Sequence, residues 1–136
     1  MKNRPPKIVR KENGVLIGKL TPKIAKQIKK ESGDIYITVK YLQHIKNRHN
    51  IELKQLGIDV LSYLRMIVTQ CNEIRQGTED SILLIVRQYE NHHHTAAIVL
   101  KYDIPNNWWQ IKTAEPRSTA DLNKRKLLWE EGQFPQ

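Results

Sequence analysis

The sequence predicts an α+β fold, and three observations carry that reading. Apolar residues recur at helical spacing between Pro22 and Val68. From Glu73 onward the period changes to two, as strands require. Strands and helices come first and a run of strands follows, which does not match the regular alternation of a doubly wound sheet. The expected architecture is an N-terminal hairpin and helices packed on an antiparallel strand meander, in one domain of 136 residues.

In order along the chain, residues 1–6 form an extended or disordered lead, because Pro5-Pro6 bars helix. Lys7–Arg10 and Val15–Leu20 read as two strands joined across Glu12-Asn13-Gly14, where Asn-Gly supplies the positive φ values of a tight turn. Thr21-Pro22 starts a helix with a hydroxyl cap and proline at the first position, and Gly33 is expected to end it as the residue past its C-cap. Ile35-Tyr36-Ile37 is a short strand that turns at Thr38 into a basic helix, Val39–His49. On that helix Leu42, Ile45 and His49 share one stripe, with Tyr41 beside it and His44 nearer Lys40, Asn47 and Arg48. Asp59 caps a second helix that runs to about Val68.

Glu73–Gln76 is a short strand, and Gly77-Thr78-Glu79-Asp80 a turn. A meander of three strands follows as the sheet core: Ser81–Tyr89, Thr95–Tyr102 and Trp108–Thr113, turning at Glu90–His93 and at Pro105-Asn106-Asn107. Trp108 and Trp109 point to opposite faces, so one of them belongs to the core. Ser118 caps a last helix, from Thr119 to about Glu131, carrying Leu122, Leu127, Leu128 and Trp129.

The charge balance narrows the class of partner. Lys and Arg number 23 against 14 acidic residues, a net charge of +9. That excess favours a polyanion, nucleic acid before membrane surface, although it also serves solubility alone. A single cysteine, Cys71, excludes an internal disulfide, fits a cytoplasmic protein, and follows the apolar run Met66-Ile67-Val68 as a packed thiol. No apolar run reaches the ~18 residues of a membrane helix, and the basic start MKNRPPK leads into no signal-peptide core.

Imidazole exchanges protons near neutral pH, so His44 and His49 among Lys40, Lys46 and Arg48 suit acid–base work on an anion. The same pattern fits a surface histidine at His44 and a packed one at His49. Their spacing differs from the i, i+4 pair of a helical zinc site, and no Glu, Asp or Cys nearby completes a ligand set, so no metal is expected. His92-His93-His94 reads as a polar turn. The end of the last meander strand gathers Lys112, Thr113, Arg117 and Ser118, two cations and two hydroxyls suited to a phosphate. Taken alone, the segment reads more simply as Ser118 capping a helix and Lys112 solvated. Arg87, beside the most apolar strand, is placed to enter a cleft, and Tyr36 and Tyr41 to stack on a base or fill the core.

These parts together resemble the phage-associated nuclease domains of the barnase, EndoU, colicin and RelE-like group of small ribonucleases. The resemblance rests on His44-Ile45-Lys46-Asn47-Arg48-His49 in a helix and Trp109-Gln110-Ile111-Lys112-Thr113-Ala114 on the last strand of a meander, and spans roughly Val15 to Ser118. It implies a barnase/RelE-like helix-plus-sheet fold with a cleft on the sheet face. It further implies metal-independent cleavage of RNA by the ribose 2′-hydroxyl, without a cofactor. tRNA or another RNA is the implied substrate, and an acidic immunity or antitoxin protein the implied partner. Carried onto this chain, His49 and His44 become the acid–base residues, and Thr113 and Lys112 the groups at the scissile phosphate. Arg48, Arg117, Ser118, Arg87, Lys40 and Tyr41 line the strand. The chain departs from phage members of the family at Glu115, where an aromatic residue would precede the proline. A non-catalytic basic nucleic-acid-binding module and a partner-docking domain are the rival readings.

Overall fold

The computed structural model describes residues 14–55, 59–87, 94–114 and 117–131, with 48–55, 94 and 95 described by backbone alone. The fold is α+β. Its elements run β1 (Gly14–Leu20), α1 (Pro22–Ile28), β2 (Gly33–Thr38), α2 (Val39–Gln55), α3 (Val60–Gln70), β3 (Glu73–Gln76) and β4 (Ile82–Val86). They continue as β5 (His94–Asp103), β6 (Trp108–Ala114), β7 (Arg117–Ser118), α4 (Thr119–Asn123) and β8 (Leu127–Glu130). One sheet carries the strands in the order β1-β2-β6-β5-β4-β3-β8, with β7 pairing to β5. Among the described strands every pairing is antiparallel except β2 with β6.

The helix starts follow local chemistry. Thr21 Oγ1 accepts from Ile24 N at 3.4 Å, Asp59 Oδ1 from Ser62 N at 2.8 Å, and Ser118 Oγ from Asp121 N at 3.0 Å. Each satisfies an amide that a helix N-terminus leaves unpaired. α1 stops earlier than expected. Lys29 takes the left-handed conformation at φ 59° and its N–H returns to the helix carbonyls, so Gly33 opens β2 rather than closing α1.

The two faces of the sheet differ. Ile35, Ile37, Ile74, Leu84, Ile98, Leu100, Trp109 and Ile111 face inward and pack with Ile45 of α2 and Leu64 and Ile67 of α3. Burying one such side chain contributes about 1.5–3 kcal/mol. α3 touches β1, β4 and β5, while α1 touches β8 at the opposite edge from β1. The sheet therefore coils around α3, and α1 closes the gap between its edges. Trp109 Nε1 donates to Glu31 O at 2.8 Å, tying the segment after α1 to the central strand. On the outer face Leu83, Ile85 and Ala97 pack under Leu122 of α4.

One expectation is corrected. The last helix is only five residues long, and Leu127-Leu128-Trp129 forms β8 against β3 instead. Three consecutive large apolar residues cannot share one helical stripe, and β3 offered an open edge to pair. Both tryptophans are buried: Trp109 lies in the core, and Trp108 stacks on Tyr36 with centroids 4.2 Å apart on the other face. β1 pairs with β2; the expected partner strand, Lys7–Arg10, lies outside the described residues. So do His92, His93 and Glu115, while His94 begins β5. No helix among the described residues is long and apolar enough to cross a membrane.

Candidate functional site

The parallel pair sets the site. β2 and β6 run side by side with Ile35 opposite Trp109 and Tyr36 opposite Gln110, so their C-terminal ends finish together. At those ends β2 turns directly into α2, and Thr38 caps the turn by accepting from Tyr41 N at 3.2 Å. Strand ends of this kind bring a helix N-terminus, with its partial positive charge, beside a neighbouring strand. The first turn of α2 holds no acidic residue to offset that charge, and Lys40 adds to it from an exposed position.

A bulge in β6 delivers the second component. Leu100 pairs with Ile111 and Val99 with Thr113, which leaves Lys112 as the extra residue. Ile111 and Ala114 both point into the core, three residues apart, a step that a regular strand with period two does not allow. The bulge thus frees Lys112 from the core phase and turns it toward α2. Its Nζ sits 4.9 Å from the centre of the Tyr41 ring. The Tyr41 ring in turn meets the His44 imidazole edge-on, 6.4 Å away at 86°. Lys112, Tyr41 and His44 therefore form a row from β6 onto α2, with His44 exposed and Lys112 and Tyr41 half-buried. A cation over an aromatic face is an ordinary attraction, yet it also leaves the ammonium hydrogens free for an anion.

Other candidates are already engaged. Arg87 donates to the Glu73 carboxylate twice, from Nε at 3.2 Å and Nη2 at 2.7 Å, and Arg75 Nε donates to the same group at 2.5 Å. Glu73 is only 3% exposed. Burial raises its pKa, but the Arg87 and Arg75 contacts outweigh that and hold the carboxyl below its usual range. Arg87 thus anchors the sheet instead of entering a cleft. Arg117 lies 3.5 Å from Asp121 of α4, and Ser118 is spent as the cap of that helix. Neither stands with Lys112 as a phosphate ligand. Thr113 lies beside Lys112 in the bulge, half-buried. Arg48 and His49 have their backbone in α2, and their side chains lie outside the described residues. Of the expected set, then, Lys40, Tyr41, His44, Lys112 and Thr113 gather at one place.

Elsewhere Cys71 is half-buried, its Sγ 3.3 Å from Glu73 O, and burial pushes its thiol up to about 11. Among the described residues no three His, Cys, Asp or Glu side chains stand close enough to share a metal ion. Compared with protein-family models, curated proteins and solved structures, the chain gives no significant match.

Proposed function

We propose that this chain is a small RNA-binding domain that cleaves its substrate without a metal, in the manner of barnase/RelE-like ribonucleases. The row Lys112–Tyr41–His44 at the joined ends of β2 and β6 carries the reading. In the reaction the ribose 2′-oxygen bonds to the adjacent phosphorus and the bond to the 5′-oxygen breaks. One group takes the 2′-hydroxyl proton and another protonates the departing 5′-oxygen, leaving a 2′,3′-cyclic phosphate and a 5′-hydroxyl. His44 fills one of these roles, and His49, on the same helix, is the candidate for the other. Lys112, the α2 N-terminus and Lys40 offset charge on the phosphorane oxygens, and Thr113 donates a hydrogen bond to them.

The test is incubation of the whole chain with end-labelled RNA in EDTA, read for cyclic-phosphate ends. Replacing His44 or His49 by Ala is expected to slow cleavage by ~10²–10⁴-fold, the usual worth of acid–base assistance. Cleavage that requires magnesium, or that is unchanged in both variants, refutes the mechanism. One observation favours the non-catalytic reading: His44 has no hydrogen-bond partner among the described residues to fix its ring. That reading predicts retention of RNA with steep salt dependence and no products.

A further inference from the structure

Lys112 belongs to a second feature as well. The β5–β6 hairpin carries an open cleft of about 380 Å³, lined among others by Lys101, Asp103, Ile104, Pro105, Gln110 and Lys112. Its size falls at the low end of small-ligand sites, ~300–1,000 Å³. Lys101 and Gln110 are direct cross-strand partners, so an ammonium and an amide project side by side from the sheet. Lys101 has only a loose ion pair, 3.7 Å to the exposed Glu79. Gln110 makes no side-chain hydrogen bond among the described residues, leaving both a donor and an acceptor available. At the lip, Ile104 is 79% exposed, the barest large apolar residue among those described. The same hairpin holds two buried polar atoms without partners, Asn106 Oδ1 and Trp108 Nε1. Asp103 is otherwise engaged, taking Asn106 Nδ2 at 2.7 Å.

We infer that this cleft is the subsite for the nucleotide adjoining the phosphate at Lys112. It takes one unstacked base of single-stranded RNA, with the ring against Ile104 and Pro105, an edge on Gln110, and the next phosphate at Lys101. The inference rests on the RNA reading above and adds to it the form of the substrate. A base held this way must leave its helix, so a continuous duplex is excluded. The register sets Lys101 opposite Gln110 and Lys112 two residues further on, so both lysines stand on the strand side of the cleft and face Ile104 and Pro105 at its turn.

The experiment is fluorescence anisotropy of the whole chain with a short labelled 2′-O-methyl oligonucleotide, which cannot be cleaved, at low salt. An unlabelled duplex of the same sequence and inorganic polyphosphate serve as competitors. Gln110→Ala and Ile104→Ser, both away from the core, are each expected to weaken single-strand binding about tenfold, the size of one lost base contact, with polyphosphate competition unchanged. The duplex is expected to compete poorly. Unchanged affinity in both variants, equal loss toward polyphosphate, or a duplex that competes as well as the single strand overturns the subsite while the RNA reading stands. A wild-type chain that neither retains the oligonucleotide nor cleaves RNA overturns both.

Discussion

Replacing Glu73 is the most informative single change to the fold, because one carboxylate holds two guanidinium groups. It accepts from Arg75 Nε at 2.5 Å, Arg87 Nη2 at 2.7 Å and Arg87 Nε at 3.2 Å. Glu73→Ala leaves both cations without their anion. Losing one partner of a buried pair typically costs ~3–5 kcal/mol. The arginine side chains keep 15% and 21% of their exposure, and Arg75 retains Arg125 O at 2.7 Å, so water and that carbonyl recover part of the loss. About 3 kcal/mol is therefore expected, which lowers the urea midpoint by on the order of 1–2 M. Glu73→Gln keeps one acceptor and should cost less. The pH dependence provides a second check. A carboxyl whose folded pKa lies below its unfolded value stabilises fully above the unfolded value, near 4.5. That contribution disappears as pH falls through the lower, folded value. The stability gap between wild type and Glu73→Gln should accordingly close in acid. A loss under ~1 kcal/mol in Glu73→Ala, or a gap that persists in acid, refutes this account of the cluster. RNA affinity should not fall in Glu73→Gln, since Arg87 serves the sheet.

Two further predictions concern packing. A Cβ at Gly18 would lie 2.5 Å from Val68 Cγ1, so Gly18→Ala should cost about 1–3 kcal/mol by overpacking, and adding Val68→Ala should recover part of it in urea unfolding. No recovery in the double variant would show that the clash is not the cause. With its thiol pushed up to about 11, Cys71 should react slowly with iodoacetamide at neutral pH and rapidly in urea, and fast labelling of the folded chain would contradict its burial.

The parts of this fold that were legible in the sequence are those with a local cause. Thr21, Asp59 and Ser118 cap the helices assigned to them because a hydroxyl or carboxylate acts on an amide three residues away. The strands from Glu73 to Ala114 follow from local pattern and turn residues, with β4 a continuous apolar run, ILLIV, buried on both faces. What was missed depends on distant partners. Leu127–Glu130 is a strand because β3 needs a neighbour, and nothing within the segment states that need. The parallel pairing of β2 with β6 joins segments some seventy residues apart. The bulge left a local trace that could have been read: Ile111 and Ala114 stand three apart, off the strand period, with Lys112-Thr113 between them.

The same distinction sorts the candidate cations, and it bears on function more than their number does. Arg87 and Arg117 look as suited to phosphate as Lys112 when read in sequence, since all three stand at strand ends. In the fold each arginine faces a carboxylate, Glu73 or Asp121, and a phosphate would have to displace that anion at the expense of the packing it supports. Lys112 makes no ion pair among the described residues and lies over an aromatic ring, which attracts the ammonium without neutralising it, and Lys40 projects to solvent. Positive charge without a carboxylate partner among the described residues thus stands where β6 bulges toward α2, close to an exposed imidazole. Moving the bulge should therefore do more harm than removing any arginine. Deleting Thr113 restores a period of two, swings Lys112 out of phase with Ile111 and Ala114, and is expected to abolish RNA binding at the site, whereas Arg117→Ala should affect only the anchoring of α4. If Arg117→Ala abolishes RNA binding and the deletion spares it, the phosphate lies at β7 rather than at the end of β6.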